Sequence, residues 1–284
     1  TLKKKKPKVE LEIIDEIIPS KSPTETEILQ IIENFKHNGI SVLEQLNEKQ
    51  LSDIIRVSNS KYYNQTPVMT DNQYDIVKKF PDNTIVTEIG AEVERNKIKL
   101  PYEMASMDKI KPDTGALTIW MSKYKGSYVL SCKLDGVSGL YTTEGSVPKL
   151  YTRGNGKVGQ DVSHLIPFLR LPKTKGVVIR GEFIIPKNVF NEKYKSTFAN
   201  PRNMVAGIIN HKHISDSIID LHFVAYEVIV PQKIPSEQMY FLGTVNAERV
   251  LYRITDSLSN EMLSKLLVEW RKSYSYEIDG VILT

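Results

Sequence analysis

Apolar positions in the first third of the chain recur every three to four residues. In the remainder they alternate, or run together in short blocks. That change of period predicts a helical front followed by a β-rich body. Ile28, Ile31, Ile32 and Phe35 keep helical spacing behind Ser22-Pro23-Thr24-Glu25, which reads as a capping box with proline at the first helical position. Asn38-Gly39 is expected to end that helix. Asn47-Glu48-Lys49-Gln50 opens a second, with Leu51, Ile54, Ile55 and Tyr62 on one stripe. Thr70-Asp71-Asn72-Gln73 opens a third, which Pro81 closes. From Tyr128 onward, β-rich runs at 127–134, 137–142, 149–152, 177–185, 221–230 and 276–283 are separated by glycine and polar turns. Residues 187–212 read as mostly helical. The expected class is α+β with an antiparallel or mixed sheet, and the boundary between front and body falls near residues 90–100.

Composition narrows the class without naming a function. A chain of 284 residues with 40% hydrophobic and 25% charged residues is globular, either one large domain or a medium one with a small companion. No apolar run approaches the roughly 18 residues of a membrane span, so no membrane partner is expected. One cysteine excludes an internal disulfide framework and a cysteine-rich zinc site within this chain, and points to a reducing, cytoplasmic compartment. Residues 1–21 carry Lys3 to Lys6 and Lys8 and are expected to be a basic, disordered leader. The net charge of +4 is compatible with a polyanion partner but does not require one. His211 and His213 have no third ligand nearby in sequence and are expected at the surface.

The chemistry concentrates in Tyr128-Val129-Leu130-Ser131-Cys132-Lys133-Leu134-Asp135-Gly136. Strand alternation puts Tyr128, Leu130, Cys132 and Leu134 on a core face and points Ser131, Lys133 and Asp135 together into a cleft. Cys132 is expected to be buried filler. Arg153 sits in the glycine-rich turn after 149–152. Arg180 and Glu182 interrupt the apolar run 177–185, and a charge in such a run needs a ligand or an ion pair; an Arg180–Glu182 pair is the plainest expectation. Phe198-Ala199-Asn200-Pro201-Arg202-Asn203 opens a helix with Arg202 near its amino end. Glu277-Ile278-Asp279-Gly280 begins another apolar strand with carboxylates on one face.

In this order, Lys133-Leu134-Asp135-Gly136, Thr152-Arg153-Gly154-Asn155-Gly156, Arg180-Gly181-Glu182, Phe198 to Asn203 and Glu277 to Gly280 closely resemble the nucleotidyltransferase motifs of NAD-dependent DNA ligases. The resemblance spans roughly residues 45–284. It implies a lysine-nucleotidyltransferase core, related to the ATP-grasp fold, with mixed antiparallel sheets over residues 95–284 and a carboxy-terminal end cut short. It also implies a helical domain over 22–94 that binds the nicotinamide mononucleotide (NMN) half of NAD through Tyr62, Asp71, Tyr74 and Asp75. The residues suit the role: Asp71, Tyr74 and Asp75 share one helix face, and two carboxylates with an aromatic ring suit a cationic pyridinium. By the same resemblance Lys133 is the nucleophile that attacks the adenylyl phosphorus of NAD. An amine attacks only when neutral, and its ordinary pKa is about 10.4, so a lowered value is expected. Ser106 and Met107, within Met104-Ala105-Ser106-Met107-Asp108, line the adenine pocket. Glu182 holds the ribose hydroxyls and Tyr226 stacks on adenine. Arg153 touches the ribose and later the DNA, and Arg202 contacts a DNA phosphate. Asp135 and Asp279 position Lys133 or a metal ion. Mg²⁺ is the implied metal and a nicked double-stranded DNA the implied partner.

Three positions depart from the family pattern. Ser131 stands where a glutamate is usual, Tyr63 where Tyr62 is normally followed by histidine, and Thr284 where a phosphate-contacting lysine is expected. The family's OB domain, four-cysteine zinc finger, helix-hairpin-helix repeats and BRCT domain have no counterpart in this sequence, so it reads as the front half of a ligase, completed by carboxy-terminal domains in the same chain or in a second subunit. The long leader hints at a divergent, viral or phage source. Two other readings stay open. One is an RNA ligase or capping-type nucleotidyltransferase using a nucleoside triphosphate. The other is a non-enzymatic module that binds NAD or DNA.

The pyridinium assignment has a direct test. Asp71→Ala or Asp75→Ala is expected to abolish lysine adenylation from NAD while sparing the later half-reactions, which involve only AMP and DNA. Wild-type charging from NAD by either variant would overturn the assignment.

Overall fold

The computed structural model describes residues 23–64, 68–70, 73–74, 76–77, 80, 96–210 and 214–284. The basic leader 1–21, Asp71, Asp75, the 81–95 stretch, His211 and His213 lie outside the described residues.

The front opens with α1 (Glu25–Asn38). Its cap is Thr24, two residues later than the expected Ser22. Thr24 Oγ1 accepts from the Glu27 amide at 3.3 Å, and Glu27 Oε2 accepts from the Thr24 amide at 2.6 Å. Ser22-x-x-Glu25 and Thr24-x-x-Glu27 are overlapping copies of one pattern, and the second is the one used. The helix ends at Gly39, whose φ of 72° suits a residue without Cβ. A 3₁₀ stretch, Gly39–Gln45, turns the chain into α2 (Glu48–Asn64), capped by the reciprocal pair Asn47 and Gln50. A third helix begins as read: Thr70 and Gln73 cap each other, and the Tyr74 amide donates to the Thr70 carbonyl at 2.9 Å. Ile28, Ile32, Phe35, Leu43, Leu51, Ile54, Ile55 and Val77 make a core of their own.

The body is α+β, and its paired strands are all antiparallel. Short strands β1 (Lys97–Lys99) and β5 (Val158–Gln160) form a ribbon. A three-stranded sheet runs in the order β8 (Tyr252–Thr255), β2 (Tyr128–Leu134), β9 (Ile278–Leu283). A four-stranded sheet runs β4 (Lys149–Thr152), β3 (Val137–Thr142), β6 (Val178–Ile184), β7 (His222–Val230). Helices α3 (Ala116–Lys123), α4 (Lys187–Lys193), α5 (Pro201–Asn210), α6 (Pro235–Thr244) and α7 (Asn260–Ser273) complete the body. Each strand predicted from the pattern is present, and within 187–210 the chain is helical in two pieces. Strands β1, β5 and β8 and helices α3, α6 and α7 are not predicted by it. One large core joins the elements of both sheets, from Leu130 and Cys132 to Phe183, Val224 and Trp270. Among the described residues no helix is long and apolar enough to cross a membrane.

Strand β2 departs from simple alternation. Leu130 and Cys132 are buried as expected, but so are Val129 and Ser131 on the other face. The polar face opens only at the strand's carboxyl end, at Lys133 and Asp135. Two residues, Asp135 and Gly136, then carry the chain from the three-stranded sheet into β3 of the four-stranded one. A Cβ on Gly136 would lie 2.1 Å from the Phe183 carbonyl oxygen. That approach forces backbone movement, so Gly136→Ala is expected to cost about 3 kcal/mol, at the upper end of overpacking penalties. Urea denaturation of the variant measures it; an unchanged midpoint would show that the crossing has slack.

Candidate active site

The crossing from β2 to β3 fixes the first carboxylate. Glu182 lies on β6, directly opposite Ser138 of β3. Its Oε1 accepts from the Gly136 amide at 3.2 Å and its Oε2 from the Ser138 hydroxyl at 2.9 Å. Only 5% of the residue is exposed. Burial pushes the Glu182 carboxyl up to about 7, against the opposing pull of Arg202, the Ser138 hydroxyl, Lys133 and the Gly136 amide.

A β-bulge supplies the second. Lys133 pairs with Gly280 across β9, but Leu134 pairs with Ile278, so Asp279 is the extra residue. In regular pairing Asp279 would face Leu134 and point with it into the core. The bulge turns it to the Lys133 side. Lys133 Nζ donates to both of its carboxylate oxygens, at 2.6 and 2.8 Å. Both side chains are partly open, 42% for Lys133 and 33% for Asp279, so the pair sits at the mouth of the cleft rather than in the core. Asp135 completes the constellation. It accepts from Arg202 Nη1 at 3.0 Å, and Arg202 is placed at the start of α5, where Asn200 caps the Asn203 amide at 2.8 Å.

A second bulge shapes β7. Gly181 pairs with Ala225 and Arg180 with Glu227, which leaves Tyr226 as the extra residue. Glu227 thereby reaches Arg180, and its Oε2 accepts from Nη1 at 2.7 Å. The expected Arg180–Glu182 pair is not formed: Arg180 binds Glu227, and Glu182 is held by Gly136 and Ser138. Tyr226 is half-buried, and burial, then Glu182 and Glu227, push its phenol up.

The remaining expected residues fall in two groups. Arg153 leaves β4 and donates through Nε to the Met104 carbonyl at 3.0 Å and through Nη2 to the Ser106 hydroxyl at 2.6 Å. Ser106 is therefore brought to the site's edge, and Met107 beside it is 53% exposed. Ser131 is buried, with 6% exposure, on the Lys133 side of β2. Cys132 is buried as expected, and its thiol is pushed up to about 12 by that burial. Tyr74 packs against the core of the helical front, and the Tyr62 side chain lies outside the described residues. Among the described residues no three His, Cys, Asp or Glu side chains gather to hold a metal ion. Asp135 and Asp279 each face a cation instead, Arg202 and Lys133 respectively.

The ordered set Lys133, Asp135, Arg153, Glu182, Arg202, Tyr226 and Asp279 lies inside residues 96–284, and that range matches the family described as the NAD-dependent DNA ligase adenylation domain. The chain belongs to this family. Its relatives include a DNA ligase of Acanthamoeba polyphaga mimivirus, 38% identical over 86% of this chain and 41% of that protein. A putative DNA ligase of Invertebrate iridescent virus 6 is 34% identical over 90% of this chain and 43% of that protein. A DNA ligase of Fusobacterium nucleatum is 25% identical over 90% of the chain and 44% of its own length. These alignments take in more of the chain than the adenylation domain alone, so the likeness reaches into the helical front. The chain spans about two fifths of the length of these relatives.

Sequence reasoning missed Ser138 and Glu227. Each is a polar residue inside an apolar strand, which is a readable signal. Their partners depend on strand register and a bulge, which are not readable.

The Glu182 carboxyl has a pH consequence with a definite sign. Its folded-state pKa of about 7 lies above the ordinary 4.5, so the unfolded chain ionises first as pH rises. Stability falls between those two values, by at most about 3 kcal/mol, and the loss is complete above the upper one. Glu182→Gln is therefore expected to raise the melting temperature by a few degrees at pH 8 and to leave it unchanged at pH 4. Equal shifts at both pH values would show that the carboxyl is not held in this way.

Proposed function

We propose that this chain is the adenylation module of an NAD-dependent DNA ligase, with Lys133 as the nucleophile. The observation that carries the reading is the Lys133–Asp279 pair, at 2.6 Å, at the open end of β2 beside the buried, hydrogen-bonded Glu182. In the first step the Lys133 amine attacks the adenylyl phosphorus of NAD. The Nζ–P bond forms, the P–O bond to NMN breaks, and NMN leaves with the electron pair. Asp279 is the partner within reach of the lysine proton. Glu182 offers fixed acceptor oxygens to the ribose hydroxyls, and Tyr226 a ring face for adenine. Asp71, Tyr74 and Asp75 take the pyridinium; two carboxylates and an aromatic ring suit a cation, and that chemistry supports this part. In the second step an oxygen of the DNA 5′-phosphate attacks the same phosphorus and frees Lys133. In the third the 3′-hydroxyl attacks the adenylated 5′-phosphate and releases AMP.

Arg202 is assigned to a DNA phosphate and Arg153 to the ribose and DNA, each exchanging a present partner, Asp135 or Ser106, for the substrate. Such exchange keeps the charges neutralised between turnovers. Mg²⁺ neutralises phosphate charge when bound with the nucleotide. The setting we infer is cytoplasmic, with nicked double-stranded DNA as partner.

Incubation with NAD and Mg²⁺, read by intact mass, is expected to show one AMP on Lys133 and none on Lys133→Ala. ATP is expected to give no adduct; charging from ATP instead of NAD would shift the reading to a nucleoside-triphosphate enzyme. Residues 1–284 are expected to charge slowly, with Thr284 in place of a lysine, and to seal a labelled nicked duplex poorly until the rest of a ligase is supplied, because wrapping DNA rests on many phosphate contacts. Efficient sealing by this chain alone would overturn the half-enzyme reading, and absence of any adduct would favour a binding module.

A further inference from the structure

Segment 103–107 has neither helix nor strand, and Met104 is its one buried side chain. Yet its backbone is gripped at three successive places. The Glu103 carbonyl accepts from Arg180 Nη2 at 2.5 Å. The Met104 carbonyl accepts from Arg153 Nε at 3.0 Å, and the Met104 amide donates to the Gly156 carbonyl at 2.8 Å. Arg180 is in turn held by Glu227, and the bulge that brings Glu227 to it is the one that carries Tyr226.

We infer that Arg180 and Glu227 are positioning residues: together they fix segment 103–107 against β6 and β7 and so set the affinity for the adenosine end of the donor nucleotide. The inference rests on the adenylation reading, in which Ser106 and Met107 face adenine. Glu227 orients the guanidinium, whose fork leaves Nη2 for the carbonyl. A segment ordered before the nucleotide arrives need not be ordered at the expense of binding. The base end of the donor is remote from the reacting phosphorus. Contacts there serve ground state and transition state alike, so losing them raises KM rather than lowering kcat.

The test uses Glu227→Gln and the conservative Arg180→Lys in the full chain. In single-turnover lysine adenylation both are expected to raise the NAD concentration that gives half the limiting rate (KM) by about tenfold, with the limiting rate constant (kcat) changed less than twofold, and the double variant is expected to be no worse than the stronger single one. Limited trypsin digestion of the free protein is expected to cut faster after Lys109, just beyond the segment, while other sites are unaffected. If one variant fails to fold, the other carries the test. Unchanged KM together with unchanged cleavage would overturn the inference, as would a fall in kcat at constant KM. Absence of an adduct in the wild-type chain would instead sink the adenylation reading, and the digestion would still decide whether the clasp exists.

Discussion

The backbone passes from one sheet to another in two residues, and the rest of the site follows from that constraint. The crossing at Asp135-Gly136 is so tight that the Gly136 amide reaches a carboxylate on β6. Lys133 and Glu182 belong to different sheets, 49 positions apart in sequence, and this crossing makes them neighbours. A buried carboxylate would be costly without donors. Here the two donors come from the crossing itself and from the start of β3, so the group that most needs partners also ties the sheets together.

Around this fixed point the charges are arranged in graded exposure. Glu182 is buried and satisfied by neutral donors. Asp135 and Asp279 stand further out, each against one cation, in the zone where an ion pair contributes little to stability. Pairs of that kind are easily exchanged for substrate groups. The division separates what must stay put from what must let go.

Much of this was legible in the sequence. The strands bearing Lys133, Arg180, Glu182, Tyr226 and Asp279 announced themselves as apolar runs with rare polar interruptions, and burying a polar group is what makes such interruptions informative. The two frontal helices were legible from caps and period. Strands β1, β5 and β8 span only three or four residues, which leaves too few apolar positions to set a period. Helix α7 could have been read, since Ser259 caps it and Leu263, Leu266, Leu267 and Trp270 keep helical spacing. Arg180 was assigned the wrong partner because alternation places Glu182 on its face, while nothing local reveals that β7 carries an extra residue.

The bulge at Asp279 makes the ion pair depend on chain length more than on residue type. Apolar positions on β9 can exchange with one another and leave the pair intact, since none of them sets where Asp279 points. Removing a single residue between Asp279 and the strand's end would restore the period of two and bring Asp279 directly opposite Lys133, at the spacing of paired strand residues rather than that of the bulge. Substitution at those apolar positions thus leaves the pair as it is, whereas a deletion changes its spacing. Homologous chains would be expected to conserve the count of residues here more strictly than their identity.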